Sequence, residues 1–130
     1  MLTVPWSQAT ATPSGRLTVI AARLPLRSAR SLPATLAWAH RLRQTMPEVP
    51  GAAGCSFAVQ LREPALWTVS AWTSRTELTA FEHSATHQAA KAALVDRLRP
   101  ATFAVWDCPS DNVPVRWSEV RRRIAVAIGS

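Results

Sequence analysis

The chain has 130 residues, 48% of them hydrophobic, which suits one domain around one core and excludes wholesale disorder. Fifteen Lys and Arg against eight Asp and Glu leave a net charge of +7, yet the arginines are scattered and the only run is 121–123. Without zinc-finger spacing or an aromatic RNA-binding strand, that charge does not make nucleic acid the expected partner, and no stretch approaches the roughly 20 apolar residues of a membrane helix. Residues 1–15, with Pro5, Pro13 and Gly15, are expected to form a flexible lead-in to a domain over 16–130, with Trp6 a candidate to dock on it. No basic start followed by an apolar stretch marks a signal peptide, so a cytoplasmic location is expected. Alternation over 17–24 predicts a first strand, stopped by Pro25. Ser31 is the expected cap of a helix whose stripe is Leu32, Leu36, Ala39, Leu42 and Met46, with Pro47 ending it. Strands follow at 55–62 and 66–73, joined by a short connection that favours an antiparallel hairpin.

Ser74-Arg75-Thr76-Glu77 is a capping box, in which serine accepts from the Glu77 N–H and the glutamate reaches back. It opens a short helix with Leu78 and Phe81 on its apolar side, and Ser84 opens another to about Leu98. Residues 102–107 form the last expected strand, and Trp117, Val120 and Ile124 suggest a terminal helix with 121–123 mostly outward. The order is the α+β, ferredoxin-like βαββαβ arrangement. Two helical regions can cover one sheet face. The other face needs a cover: a second copy of the sheet in a homodimer is the expected one, and the terminal helix with residues 1–15 is the alternative.

Cys55 and Cys108 have no partner at metal or redox-motif spacing, and no metal site is expected. A pair of free thiols is the expected state, with a disulfide between them left open.

The stretch 67–74 (WTVSAWTS), followed by Leu78, Phe81, His83-Ser84 and His87, resembles the antibiotic biosynthesis monooxygenase-like superfamily. Phe103, Trp106 and the stretch from Pro114 to Trp117 are similar to an uncharacterised bacterial branch of it. The resemblance runs from about Arg16 to Ile124 and implies a dimeric α/β barrel. It implies varied chemistry: cofactor-independent oxidation of polycyclic aromatic phenols, haem binding and degradation, or no known reaction. Oxygenase and haem-degrading members place an asparagine near the tryptophan strand. This chain has Thr68 and Ser70 there, and its only asparagine is Asn112.

His87 shares a helical face with Ala90, Leu94 and Leu98 and is the candidate acid/base or haem ligand, against a helix-start histidine bonded to backbone. Trp72 and Phe81 are candidate substrate contacts in a pocket between sheet and helices, where a planar ligand could stack. Trp38, His83 and Phe103 are further candidates, each with an ordinary alternative as core or hinge residue. His40 could enter the same cleft, though packing at the stripe's edge explains it equally well, and Arg23 and Arg62 could orient an acidic or phenolic ligand or stand as solvated strand ends. Six tryptophans and no tyrosine leave no tyrosine hydroxyl for a proton relay. The expected function is a monooxygenase-like oxidoreductase acting on a hydrophobic aromatic small molecule without a cofactor. The alternative is a non-catalytic small-molecule or haem-binding dimeric barrel.

Overall fold

The computed structural model describes residues 1–8 and 15–129. Two short strands, β1 (Leu2–Thr3) and β2 (Ser7–Gln8), precede the long β3 (Arg16–Pro25). Then come α1 (Leu32–Thr45), β4 (Ala52–Gln60), β5 (Ala65–Trp72), α2 (Arg75–Glu82), α3 (Ala85–Leu94), β6 (Thr102–Pro109) and α4 (Trp117–Gly129). The four long strands lie in the order β4-β5-β3-β6, antiparallel throughout, which is the ferredoxin-like βαββαβ sheet.

The lead-in departs from expectation over its described part. β1 and β2 both pair with β4, the Val4 N–H donates to the Phe57 carbonyl at 3.0 Å, and Arg43 donates to the Pro5 carbonyl at 2.8 Å. Ser56 adds a side-chain hydrogen bond to the Val4 carbonyl. Residues 1–8 are thus held by an edge whose backbone groups need partners, a constraint that local composition does not express. Residues 9–14 of the expected flexible segment lie outside the described residues. Trp6 does dock, lying where a Cβ on Gly54 would stand.

Caps account for several boundaries. Ser28, not Ser31, makes the capping hydrogen bond before α1, closing a single 3-10 turn (Ala29–Ser31). Ser31 already has helical backbone angles, and its carbonyl takes the Thr35 hydroxyl at 2.7 Å. Ser74 and Ser84 cap α2 and α3 through the N–H groups of Glu77 and His87. The final α-helical turn stops at Leu94, short of the expected Leu98, and a 3-10 turn (Val95–Arg97) follows. β4 begins three residues before its expected start, aided by a register irregularity between Ala52 and Gly54.

The alternation in β5 separates two layers. Trp67, Val69 and Ala71 join Leu17, Val19, Ala21, Trp106, Val120 and Ile124 in one cluster under α4. Trp72 joins Met46, Cys55 and Leu78 in another under α2. The face expected to require a second subunit is therefore covered within the chain, by α4 and by Trp6 packed against the same cluster. Burying the methylenes and rings of that layer supplies the larger part of the core, at about 25 cal/mol per Å² of apolar surface.

The arginine run is not uniformly outward. Arg121 and Arg122 are exposed, but Arg123 is half-buried, with its guanidinium 4.9 Å from the centroid of Trp106 and its Nε donating to Glu119 at 2.8 Å. Hydrogen bonds from Arg122 and then Arg123 hold the Glu119 carboxyl below its usual range. Cys55 and Cys108 are free and lie in different clusters, one on each side of the sheet, so they do not bridge. Burial pushes the Cys55 thiol up to about 11. No helix among the described residues is long and apolar enough to cross a membrane.

Candidate functional site

An open groove of about 410 Å³ lies between the end of α1 with the turn after it and the α2–α3 pair. Its walls are Thr45, Glu48, Val49 and Pro50 on one side, and Glu77, Ala80, Phe81, Ser84 and Thr86 on the other. Two features close the two sides together. Gly51 has φ of 80°, a left-handed conformation that glycine tolerates best, and the Glu77 stem occupies the space a Cβ there would need. The Thr73 N–H donates to the Gly51 carbonyl at 2.8 Å, tying the turn to the end of β5.

Glu77 corrects the full capping box. Its N–H donates to the Ser74 hydroxyl oxygen at 3.3 Å, but its side chain lies across Gly51 and lines the groove instead of reaching back. The sequence signal for that second role was the glycine-containing turn facing the helix start, and only the packing shows that the two meet.

Phe81 is the one expected site residue on the groove wall. Behind it stands Trp72, wholly buried, with ring centroids 5.1 Å apart and its indole N–H donating to the Ser70 hydroxyl at 2.8 Å. Trp72 therefore supports the wall and does not itself open to the groove. His87 meets Phe81 edge-on at 5.3 Å, and its Nδ1 is buried with no hydrogen-bond partner among the described residues. Such an orphan is uncommon, because a buried ring nitrogen that loses water must regain a partner or carry the desolvation cost.

The remaining candidates lie elsewhere. Trp38 sits on α1 under the Arg41 guanidinium, 4.4 Å from its ring centroid, and the wall of the groove does not include it. His83 is exposed at the α2–α3 junction, with Nδ1 2.8 Å from the Thr79 carbonyl, the hinge alternative already raised for it. Phe103 is 57% exposed on β6, the sheet edge that α1, α2 and α3 leave uncovered. Residue type and chain order alone reveal neither how far the helices extend across the sheet nor which way a junction residue turns.

Asn112 lies on the opposite side, in a hollow of about 610 Å³ beside β6 and α4 that also includes Cys108, Arg116, Glu119 and Arg123. It cannot replace an asparagine near Trp72. In that hollow Glu119 and Arg123 already satisfy each other. No group of three or more His, Cys, Asp or Glu residues gathers as a metal site among the described residues.

Solved structures share this architecture. One, an antibiotic biosynthesis monooxygenase, superposes with a TM-score of 0.62 at 14% identity over 71% of this chain and 97% of that one. The chain has the fold of these monooxygenases. A haem-degrading enzyme from Listeria monocytogenes matches with a TM-score of 0.61 at 14% identity, covering 83% of this chain and 70% of the other. A dimeric ferredoxin-like protein of unknown function from Jannaschia matches with a TM-score of 0.59 at 18% identity, over 71% and 97%. No family model and no curated protein matches the sequence. At these identities the likeness is one of fold, on which unrelated chemistries are built.

Proposed function

We propose that this chain is a monooxygenase-like oxidoreductase that takes a hydrophobic aromatic small molecule in the groove over Phe81. The observation that carries the reading is the chain Trp72–Phe81–His87, which ends in a buried imidazole nitrogen with a hydrogen bond still to make. A planar ligand stacks against the wall that Phe81 forms and Trp72 stiffens. Movement of the Phe81 ring brings Nδ1 of His87 within reach of a ligand hydroxyl, where it accepts a proton. In a cofactor-independent oxidation the substrate supplies the electrons. A methylene between aromatic rings gives up two hydrogens and gains one oxygen atom as a carbonyl, and the second oxygen leaves as water.

Haem fits this groove poorly. His87 flanks Phe81 and is not on the wall, and His83 is exposed at the α2–α3 junction outside it, so neither imidazole lines the groove where a porphyrin would lie. The aromatic ligand is the better match. With an anthrone under air and no added cofactor, His87→Gln is expected to lower kcat by about 100-fold or more, the range for loss of a positioned base. Phe81→Ala is expected to raise KM by about tenfold. Full activity in both variants would refute the site.

A second copy of the chain is the other partner we propose. The dimeric description of the Jannaschia protein supports self-association, but the covered sheet face moves its location. Among the described residues β6 is the outer strand with an unpaired edge, and it carries Phe103 and Val105, 57% and 40% exposed. Arg99 precedes that strand and Asp111 follows it, so antiparallel pairing about a twofold axis near Val105 sets the Arg99 of each copy opposite the Asp111 of the other. By light scattering, the native chain is expected at twice the mass of Phe103→Glu. Equal masses would exclude the edge.

A further inference from the structure

We propose that the groove selects a cationic ligand: an aromatic or apolar molecule carrying an amine or another positively charged group. This rests on the reading of the groove as a small-molecule site and specifies what enters it.

The argument starts from charge. The chain has 15 basic side chains against 8 acidic ones, yet the groove wall holds Glu48 and Glu77 and no Lys or Arg. The only ion pairs between described side chains belong to Glu119, so neither groove carboxylate is in contact with a basic side chain among the described residues. Glu77 is also held in place. Its backbone is fixed by the Ser74 cap, and its stem packs over Gly51, a position whose φ of 80° and lack of a Cβ admit that contact. A carboxylate positioned in advance loses less side-chain entropy when it meets a cation than one on an exposed, mobile stem.

The apolar part of the wall favours the same ligand class. Phe81 is supported from behind by Trp72 and flanked by His87, so its open part faces the groove with Val49, Pro50 and Ala80. An aromatic face attracts a cation through its quadrupole, and the two carboxylates replace the water that the cation gives up. An anionic ligand would meet two like charges and no counter-charge on the wall. A neutral aromatic ligand would gain only the apolar contact.

Three ligands with one naphthalene ring separate these terms: naphthylmethylamine, naphthalenemethanol and naphthoate, each titrated calorimetrically into the full chain. The amine is expected to bind about tenfold more tightly than the alcohol, with naphthoate weakest. Glu77→Gln and Glu48→Gln are each expected to weaken the amine about three- to fivefold, at least three times their effect on the alcohol. Added salt should narrow the gap between amine and alcohol. Amine and alcohol binding equally, or naphthoate binding best, would overturn the charge selection. In that event the groove itself stands if Phe81→Ala still weakens all three ligands. If Phe81→Ala leaves all three unchanged, or none binds, the groove reading fails together with the inference.

Discussion

Trp72→Ala is expected to destabilise the fold by about 3–5 kcal/mol, the range for truncating a fully enclosed tryptophan. Trp72 has no exposed surface, and it packs with Met46, Cys55, Leu78 and Phe81. Its removal leaves a cavity between the sheet and α2, and the Ser70 hydroxyl loses its donor. For a chain of this length the melting temperature should fall by about 10–15 °C. Thermal and urea unfolding both measure it. Trp72→Phe keeps most of the volume and should cost about half as much or less. The same truncation removes the support 5.1 Å behind Phe81, so ligand affinity should fall even below the transition temperature. An unchanged midpoint would mean that this layer collapses without loss, and the Trp72–Phe81 support would have to be abandoned.

Ile124→Asp tests the other layer. Ile124 is wholly buried in α4, against a cluster that includes Trp67, Val69 and Trp106. A carboxylate placed there without a partner is expected to cost about 3–5 kcal/mol, and the helix escapes that cost by leaving the sheet. Release of α4 uncovers the Trp106 ring and the Arg123 contact over it. The near-ultraviolet signal of Trp106 and Trp117 should therefore change before the main unfolding transition, and the uncovered face should drive self-association visible by light scattering. A variant with native stability, spectrum and mass would show that α4 does not hold that face.

The two layers differ in how far the residues alone disclosed them. Alternation in 67–72 placed Trp67 and Trp72 on opposite faces, because successive side chains of a strand point to opposite sides whatever surrounds it. The caps at Ser74 and Ser84 were equally legible, since a serine hydroxyl needs only the N–H three residues on. Ser31 misled because a second serine three residues earlier made the competing cap. The backbone rather than the residue type decided between them.

The candidate site was legible in part for the same reason. Phe81 and His87 are six residues apart on two capped helices, and the sequence placed both toward the sheet side. Whether Glu77 turns back to its own cap or across to Gly51 depended on a loop that arrives from α1. Trp38 and Phe103 are aromatic and still lie outside the groove, because an aromatic side chain can equally sit half-buried on a helix or exposed at a sheet edge.

Local geometry, then, determined the βαββαβ order, the two faces of the tryptophan strand and the helix starts, each a matter of a few neighbouring residues. The tertiary structure decided what covers the second sheet face, which aromatic side chains share a groove, and which carboxylates face it. Those outcomes join segments tens of residues apart. They depend on which of several apolar surfaces pack together, and a linear pattern of side chains leaves that choice open.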